Sequence, residues 1–390
     1  MTASATASPE LALAAQLFDA LRAASLDPPG VSRASYGPGE RMAHALLRTT
    51  AESLALQIAT DPAGNLYMTL PGRDRQAPAV IMGSHLDAVP HGGNFDGAAG
   101  VVAGIAAVAR LRRLGRTPKQ DVTVMGIRAE EMSWFPAPYI GSRAAFGLLP
   151  AEVLDNTLRP DTGRSLASHM AEEGFDPEAV RRGQAWLDPA RIGAYIEVHI
   201  EQGPHLVRSG DPAAIVTGIR GNIRYKHCRV HGQYGHAGAV QRKDRRDAVM
   251  AAVEFIHALE ADWIADEAAG RDLVATVGQL YTDPEHHTIT KIPGDVRFTL
   301  DIRSYDDELL QSMIRRLDER ARTISGRRAV QIDLGAHAYT PAAVMDPGLT
   351  GQLEAVATAA GLAVPKMGSG AGHDCLVFSG RGVPCAMVFI

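Results

Sequence analysis

The segment AVIMGSHLDAVPHGGNFDGAAGVVAGIAAVARLRRLG (residues 79–115) indicates the fold class of this chain. It opens with a short apolar run, typical of a buried strand, and ends with apolar residues at helical spacing before Gly115, the predicted helix stop. A second apolar strand, DVTVMGIRAEE (121–131), follows. Strands that alternate with helices predict an α/β protein with a mixed sheet, whose functional groups gather at the carboxyl ends of the strands.

The pattern changes at about residue 213. Alternating apolar residues over 213–235 predict one long strand. The segments that follow read as helix, strand, strand, helix and strand, over 245–263, 273–282, 294–304, 306–325 and 329–335. This order is the ferredoxin-like β-α-β-β-α-β pattern. We therefore predict a discontinuous catalytic domain, residues 1–212 plus 329–390, with an inserted α+β domain over 213–328.

Composition narrows the class of protein. The chain has 390 residues, of which 46% are hydrophobic and 21% charged, and a formal net charge of -5. These values suit a globular enzyme of two domains and argue against a nucleic-acid or membrane partner. Three cysteines exclude a disulfide scaffold. The amino-terminal MTASATASPE lacks the pattern of a secretory signal, so we expect a cytoplasmic protein.

The first segment carries three candidate site residues. His85 and Asp87 are expected on one face of a strand, where the carboxylate would fix the imidazole tautomer. Asp96 lies among glycines that let the chain turn sharply into a helix. A bridging metal ligand at Asp96 explains this segment, and so does a helix-capping Asp beside a hydrogen-bonded His. His91 is interpreted as a loop residue.

Other candidates follow the later strands. Glu130 and Glu131 are adjacent carboxylates, and a divalent metal would offset their mutual repulsion. Glu197, His199 and Glu201 are predicted on one face of a strand, and His373 and Asp374 lie in the glycine-rich MGSGAGHDC. Each has an ordinary structural explanation, but together they favour a carboxylate-bridged zinc or manganese site. The chain contains no nucleophile elbow, P-loop or dinucleotide fingerprint that would favour another chemistry.

Taken together, segments spread over nearly the whole chain resemble the M20-type amidohydrolases of the hydantoinase/carbamoylase group. This group contains N-carbamoyl-L-amino acid hydrolases, β-ureidopropionases and allantoate amidohydrolases. The segments that carry the resemblance are DPAGNLYMTLPG (61–72), GSHLDAVPHGGNFDGAAGV (83–101), AEEMSWF (129–135), IGSRAAFG (140–147), YIEVHIEQGP (195–204), GQYGHAGA (232–239), RRDA (245–248), IPGDVRFTLDIRS (292–304) and GSGAGHD (368–374).

The resemblance implies hydrolysis of a C–N bond in an N-carbamoyl amino acid or related ureido acid by metal-bound hydroxide. It implies two divalent metal ions (Zn, Mn, Co or Ni), one ligated by His85 and one by His199. Asp96 would bridge the two ions, Glu131 would bind the second, and Asp87 would orient His85. Glu130 would be the general base.

Further roles are implied for the substrate and the assembly. His236 would stabilise the oxyanion and Arg303 would pair with a substrate carboxylate. The other substrate-handling positions correspond to Gln202, Thr290 and His373. A homodimer would form through the inserted domain.

Three departures from the family pattern leave alternatives open. Thr290 stands where the family usually has Asn, and GHAGAVQRKD replaces the usual GHAGTTPM. The family continues beyond PCAMVFI with a Gly-Ser-His-x-Pro segment whose His ligates the second metal, whereas this sequence ends at Ile390. An M20-type peptidase or N-acyl amino acid deacylase is the enzymatic alternative. A non-catalytic binding protein with an incomplete metal site is the alternative from another class.

Overall fold

The computed structural model describes residues 8–390. Residues 1–7, part of the segment in which we find no secretory signal, lie outside the described residues. The chain divides into two compact units, with the second unit, Gly218–Val344, inserted between Thr217 and Met345 of the first. No helix among residues 8–390 is long and apolar enough to cross a membrane.

The first unit is built around a mixed sheet whose strands come from both parts of the chain that form this unit. Its elements before the insertion are α1 (Pro9–Ser25), β1 (Leu26–Asp27), β2 (Gly30–Arg33), α2 (Pro38–Ser53), β3 (Gln57–Thr60), β4 (Leu66–Leu70), β5 (Ala79–His85), β6 (Ala88–Gly92), α3 (Ala98–Arg113), β7 (Val122–Ile127), α4 (Ile140–Ala145), α5 (Ala151–Asn156), α6 (Leu166–Glu172), α7 (Pro177–Arg181), β8 (Ile192–His199), α8 (His205–Ser209) and β9 (Ala214–Ile219).

The second unit contains β10 (Gly221–His231), β11 (Gly235–His236), α9 (Ala248–Ala268), β12 (Val274–Thr276), β13 (Leu280–Thr282), β14 (Lys291–Ile292), β15 (Asp295–Ser304), α10 (Asp307–Arg328), β16 (Gln331–Asp333), β17 (His337–Thr340) and β18 (Ala343–Val344). The chain then returns to the first unit with α11 (Pro347–Ala359), β19 (Lys366–Ser369), α12 (Cys375–Ser379) and β20 (Cys385–Phe389).

Parallel pairing in the first unit brings strand ends to one edge of the sheet. β5 pairs in parallel with both β7 and β8, and β8 pairs in parallel with β20. His85 at the end of β5 lies opposite Ile127, and His199 at the end of β8 lies opposite Phe389. The chain segments that leave these strands therefore start side by side, as predicted for an α/β sheet.

Helix α3 fixes this edge from one face. Its buried face, which includes Val101, Val102, Ile105 and Val108, packs in one apolar cluster with Val124 of β7. Apolar burial of this kind stabilises the unit by roughly 25 cal/mol per Å². The helix ends where the sequence predicts, because Gly115 adopts a left-handed φ of 62° that favours glycine.

The second unit has the strand order β12-β15-β10-β16, with antiparallel pairs. Together with α9 and α10 this gives the ferredoxin-like arrangement. The two helices and the sheet share one apolar cluster, which includes Phe255, Phe298 and Leu310.

Two details differ from the sequence predictions. The predicted long strand 213–235 is two strands, since β9 pairs with β20 whereas β10 pairs with β15. The predicted insertion 213–328 also differs from the compact unit Gly218–Val344. Residues 329–344 stay with the insertion because β16 and β17 both pair with β10.

Candidate metal centre

Two histidines and one aspartate converge at the carboxyl edge of the first unit's sheet. Asp96 Oδ1 lies 3.8 Å from His85 Nε2 and 3.3 Å from His199 Nε2. Both histidines are buried. Each is the last residue of a parallel strand and has a registered partner on one neighbouring strand, which fixes the backbone that carries it.

The contacts of the far nitrogen indicate which tautomer each ring adopts in its neutral form. His85 Nδ1 lies 3.0 Å from the backbone oxygen of Asp87, and His199 Nδ1 lies 2.9 Å from the backbone oxygen of Ile200. A carbonyl oxygen only accepts, so Nδ1 carries the hydrogen and donates it in each ring. In the neutral imidazoles the Nε2 lone pairs are then free, and both lie near the same Asp96 oxygen.

These residues fit a divalent cation. Asp96 Oδ1 is buried and has no hydrogen-bond partner among residues 8–390. Two imidazole lone pairs and a carboxylate oxygen would face one another unfavourably without a positive charge between them. Nitrogen and carboxylate donors of this kind bind zinc and related metals.

Gly97 makes the approach of Asp96 to His85 sterically possible. It has a left-handed φ of +63°, and a Cβ at this position would lie 2.5 Å from three atoms of the His85 ring. Any other residue would therefore push against the imidazole. The sequence prediction that glycines turn the chain at this point agrees with this geometry.

Asp87 connects the two halves of the candidate centre. Its carboxylate lies 3.3 Å from His85 Nδ1 and accepts hydrogen bonds from the backbone N–H groups of Glu130 and Glu131, both at 3.1 Å. The Ser35 hydroxyl also donates to it at 2.6 Å. These bonds hold the pKa of the Asp87 carboxyl below its usual value although burial raises it. Asp87 therefore positions both His85 and the Glu130–Glu131 segment.

Glu130 and Glu131 form a second group of possible ligands with His85. One ligand atom from each of the three residues lies within 4.8 Å of the others, and Glu130 Oε2 is 3.9 Å from His85 Nε2. Burial raises the pKa of the Glu130 carboxyl well above its usual value, against the effect of His85. Burial likewise raises the pKa of Glu131 to about 7. Grouped carboxylates of this kind are stabilised by a bound cation.

His199 is also in contact with a second buried histidine, His373, which is itself hydrogen-bonded to Ser369. The His373 ring meets the His199 ring edge-on, with centroids 4.5 Å apart, and His373 Nε2 lies 2.8 Å from the Ser369 hydroxyl. Burial lowers the pKa of His199 to about 4 and that of His373 well below its usual value. Both rings are therefore neutral near pH 7. A neutral imidazole is the form that binds a metal.

Gln202 approaches Asp96 from the segment after β8. Its amide Nε2 donates to Asp96 Oδ2 at 2.9 Å, and its own φ is 54°. One Asp96 oxygen is thus held by an amide while the other faces the two histidines.

The remaining predicted site residues belong to the second unit. His236 ends β11, which pairs with β14, and the backbone N–H of Ala237 donates to the Thr290 carbonyl at 2.9 Å. His236 and Thr290 are therefore neighbours. Arg303 lies on β15, where its Nη2 and Nε donate to the Asp301 carboxylate at 2.8 and 3.1 Å. A substrate carboxylate at Arg303 would share this guanidinium with Asp301.

Three positional predictions need correction. β5 ends at His85, so Asp87 is not on the strand and reaches His85 through the turn that follows. β8 ends at His199, and the Glu201 carboxylate instead accepts the N–H groups of His205 and Leu206 at the start of α8. His91 lies within β6 rather than in a loop and is exposed.

Sequence reasoning missed the residues that hold the site residues in place. Ser84 donates to Glu197 at 2.7 Å, and Ser142 donates to Asp374 at 2.5 Å. Glu197 is fully buried and also accepts the N–H of Cys375 at 2.9 Å. The serine partners come from distant parts of the chain, and nothing in their own sequence context distinguishes them from surface serines.

Known proteins similar to this chain include named amidohydrolases. The chain is 38% identical over 305 residues to the N-carbamoyl-L-amino acid amidohydrolase of Geobacillus stearothermophilus, which covers 78% of this chain and 71% of that one. It is 32% identical over 375 residues to the allantoate deiminase of Arabidopsis thaliana, covering 90% and 70%. A solved hydantoinase/carbamoylase family amidase from Burkholderia ambifaria matches with a TM-score of 0.81 and 32% identity, covering 98% and 90%.

The profile of Peptidase family M20/M25/M40 matches residues 81–390, a range that holds every candidate ligand described above. These matches extend over both units of the chain. The chain therefore belongs to the M20 family.

Proposed function

We propose that this M20-family hydrolase cleaves a C–N amide bond in an N-carbamoyl amino acid or a related ureido acid. The observation that carries the proposal is the buried Asp96 oxygen without a hydrogen-bond partner, which lies within 4 Å of two imidazole Nε2 atoms. The names of the relatives supply the substrate class, since they are N-carbamoyl-L-amino acid amidohydrolases and allantoate-cleaving enzymes.

The proposed metal ligands are His85, Asp96, His199 and Glu131. Because both histidines face the same Asp96 oxygen, we assign them to one shared metal position rather than to separate ones. We assign Glu131 to a neighbouring metal position, since it groups with His85 and Glu130 rather than with Asp96 and His199. Bound divalent cations supply Lewis acidity and acidify a water molecule, which makes hydroxide available near pH 7.

Glu130 is the proposed general base. Its raised pKa suits a group that accepts a proton from the attacking water and later returns it to the leaving nitrogen. The N–H bond from Glu130 to Asp87 fixes the backbone from which its side chain extends. Asp87 thereby holds the backbone of the proposed base and the ring of the proposed ligand His85 in fixed positions relative to each other.

Substrate handling is proposed for Gln202 and His373 in the first unit, and for His236, Thr290 and Arg303 in the second. Gln202 and His373 each contact a proposed ligand directly, Asp96 and His199 respectively. For the second unit the support is the resemblance of the motifs around these residues.

We also propose that the protein is a homodimer formed through the second unit, which sedimentation equilibrium of the purified chain tests.

A substrate panel tests the proposed bond specificity. The panel contains N-carbamoyl amino acids, 3-ureidopropionate, allantoate, N-acetyl amino acids and dipeptides, each assayed with added Zn²⁺ or Mn²⁺. We expect ammonia release from at least one ureido acid, with kcat/KM well above that for any acetyl amino acid or dipeptide. Preferred cleavage of dipeptides or acetyl amino acids would instead support the peptidase or deacylase alternative.

A further inference from the structure

A small cavity of about 200 Å³ lies in the first unit, between helix α2 and strands β3 and β4. It lies outside the candidate metal centre, and none of the proposed ligands lines it. Its charged lining residues are all cationic, namely Arg41, Arg48 and Arg128. Arg41, His44 and Arg48 project from one face of α2, because residues three and four positions apart share a helix face.

The three guanidinium groups are unequally neutralised. Arg41 pairs with Glu173 at 2.7 Å, and Arg128 pairs with the buried Glu40 at 2.7 Å. Arg48 donates at 2.7 Å to the Thr60 hydroxyl, which is uncharged, and forms no ion pair within residues 8–390. The cavity therefore carries an excess of positive charge, and donor N–H groups of Arg48 remain available.

His44 provides an independent indication of a ligand. Its side chain lines the cavity and is 6% exposed, yet neither ring nitrogen has a hydrogen-bond partner among the described residues. A buried imidazole normally satisfies at least one nitrogen. Burial lowers its pKa well below the usual value, assisted by the charges of Arg128 and Arg48, so the ring is neutral and offers one N–H donor.

We propose that this cavity binds a small oxyanion, of the size of sulfate, phosphate or a short carboxylate, between Arg48, Arg128 and His44. Oxyanions match the available groups, since guanidinium N–H groups and an imidazole N–H can only donate to such a ligand. The volume accommodates an ion of this size and excludes a nucleotide. This proposal does not depend on the proposed enzymatic function.

Glu40 and Ala129 connect the proposed anion site to the candidate metal centre. The Glu40 carboxylate that pairs with Arg128 also accepts the backbone N–H of Ala129 at 2.9 Å. Ala129 has a left-handed φ of 53° and immediately precedes Glu130. An anion bound at Arg128 would therefore contact the residue that, with Glu40, fixes the start of the Glu130–Glu131 segment.

Sulfate titration of the full-length protein by calorimetry tests the proposal, because sulfate binds divalent metals weakly. We expect saturable binding of one sulfate to the unaltered chain. Arg48→Gln should weaken it about tenfold or more, since a charge-assisted hydrogen bond is lost. His44→Leu should also weaken it while keeping a similar side-chain volume. The matched control is Arg110→Gln, an exposed arginine on α3, which should bind as the unaltered chain does.

A crystal soaked in selenate gives the position directly. The expected result is an anomalous peak between Arg48, Arg128 and His44 that is absent from Arg48→Gln crystals. The proposal fails if only water fills the cavity. It also fails if sulfate binds equally well to Arg48→Gln and Arg110→Gln, because the ion would then bind elsewhere.

Discussion

Asp96 is the residue on which the proposed metal site depends most. Its Oδ2 is occupied by the Gln202 amide, while its buried Oδ1 faces two imidazole Nε2 atoms. A neutral imidazole that carries its hydrogen on Nδ1 cannot donate from Nε2, so in that form neither ring donates to Asp96. A bound cation would be held there by two nitrogen donors and one carboxylate oxygen.

Glu130→Gln is expected to lower kcat by about 10²- to 10⁴-fold, the usual contribution of a general base. The amide keeps the size of the side chain but cannot accept the proton of the attacking water. Since Glu131, Asp96 and the histidines are unchanged, the metal content measured by elemental analysis should stay the same. Steady-state ammonia release provides the measurement.

The matched control for this substitution is Glu152→Gln, at an exposed glutamate in the first turn of α5. It should leave kcat and KM unchanged. Near-full turnover by Glu130→Gln would contradict the role of Glu130 as the base, whatever its effect on stability.

At this scale the sequence predicts residues that stand at strand ends and not the residues that support them. His85 and His199 follow apolar runs that mark strands, and Asp96 lies in the glycine-rich turn after the first of them, so their meeting at one edge is predictable. The contact of Ser35 with Asp87 spans 52 positions, and that of Ser142 with Asp374 spans 232. Such contacts depend on tertiary packing, which no local pattern shows.

The turn from β6 into α3 is the element with the tightest steric requirement. Gly97→Ala places a Cβ where the His85 ring lies, in a left-handed conformation. Gly115→Ala is the matched control, since Gly115 has a similar φ of +62° but nothing within 4 Å of its Cβ position. Gly115→Ala should lose only the free energy that a residue with a Cβ needs to adopt the left-handed backbone. This cost is roughly 1–2 kcal/mol of unfolding free energy.

Gly97→Ala should lose more stability than Gly115→Ala in chemical denaturation, and it alone should weaken metal binding in a competition titration. Equal metal affinity in both variants would show that the His85 position does not depend on the close approach of Gly97.

The break between β9 and β10 shows why one element was mispredicted. The apolar run 213–216 before Arg220 and the alternating residues after it are both typical of strands, so the sequence does not mark the break. The structure divides the segment because β9 completes the first unit's sheet and β10 starts the second sheet. A change of pairing partner does not alter the two-residue alternation of side chains along a strand, so the sequence pattern does not reveal it.

At the scale of the whole molecule, bound metal should stabilise the folded protein. The proposed ligands come from β5, the β6–α3 turn, the segment after β7, and β8, so the unfolded chain does not bring them together. A metal at 100 times its Kd adds about 2.7 kcal/mol to the free energy of unfolding. Thermal denaturation before and after chelation should therefore show a lower Tm without metal.

His199→Ala is the comparison for this measurement. Its Tm should respond much less to chelation, because one side of the shared metal position is lost. An identical response in the variant and the unaltered chain would contradict the assignment of His199 as a ligand.

The most direct test of metal-dependent amide hydrolysis is ammonia release from the best ureido acid substrate through a cycle of chelation and metal return. We predict that chelation abolishes turnover, that Zn²⁺ or Mn²⁺ restores it to the unaltered chain, and that the same metals do not restore it to Glu130→Gln. Turnover that persists in the metal-free protein, or that returns equally in Glu130→Gln, would contradict the proposed site.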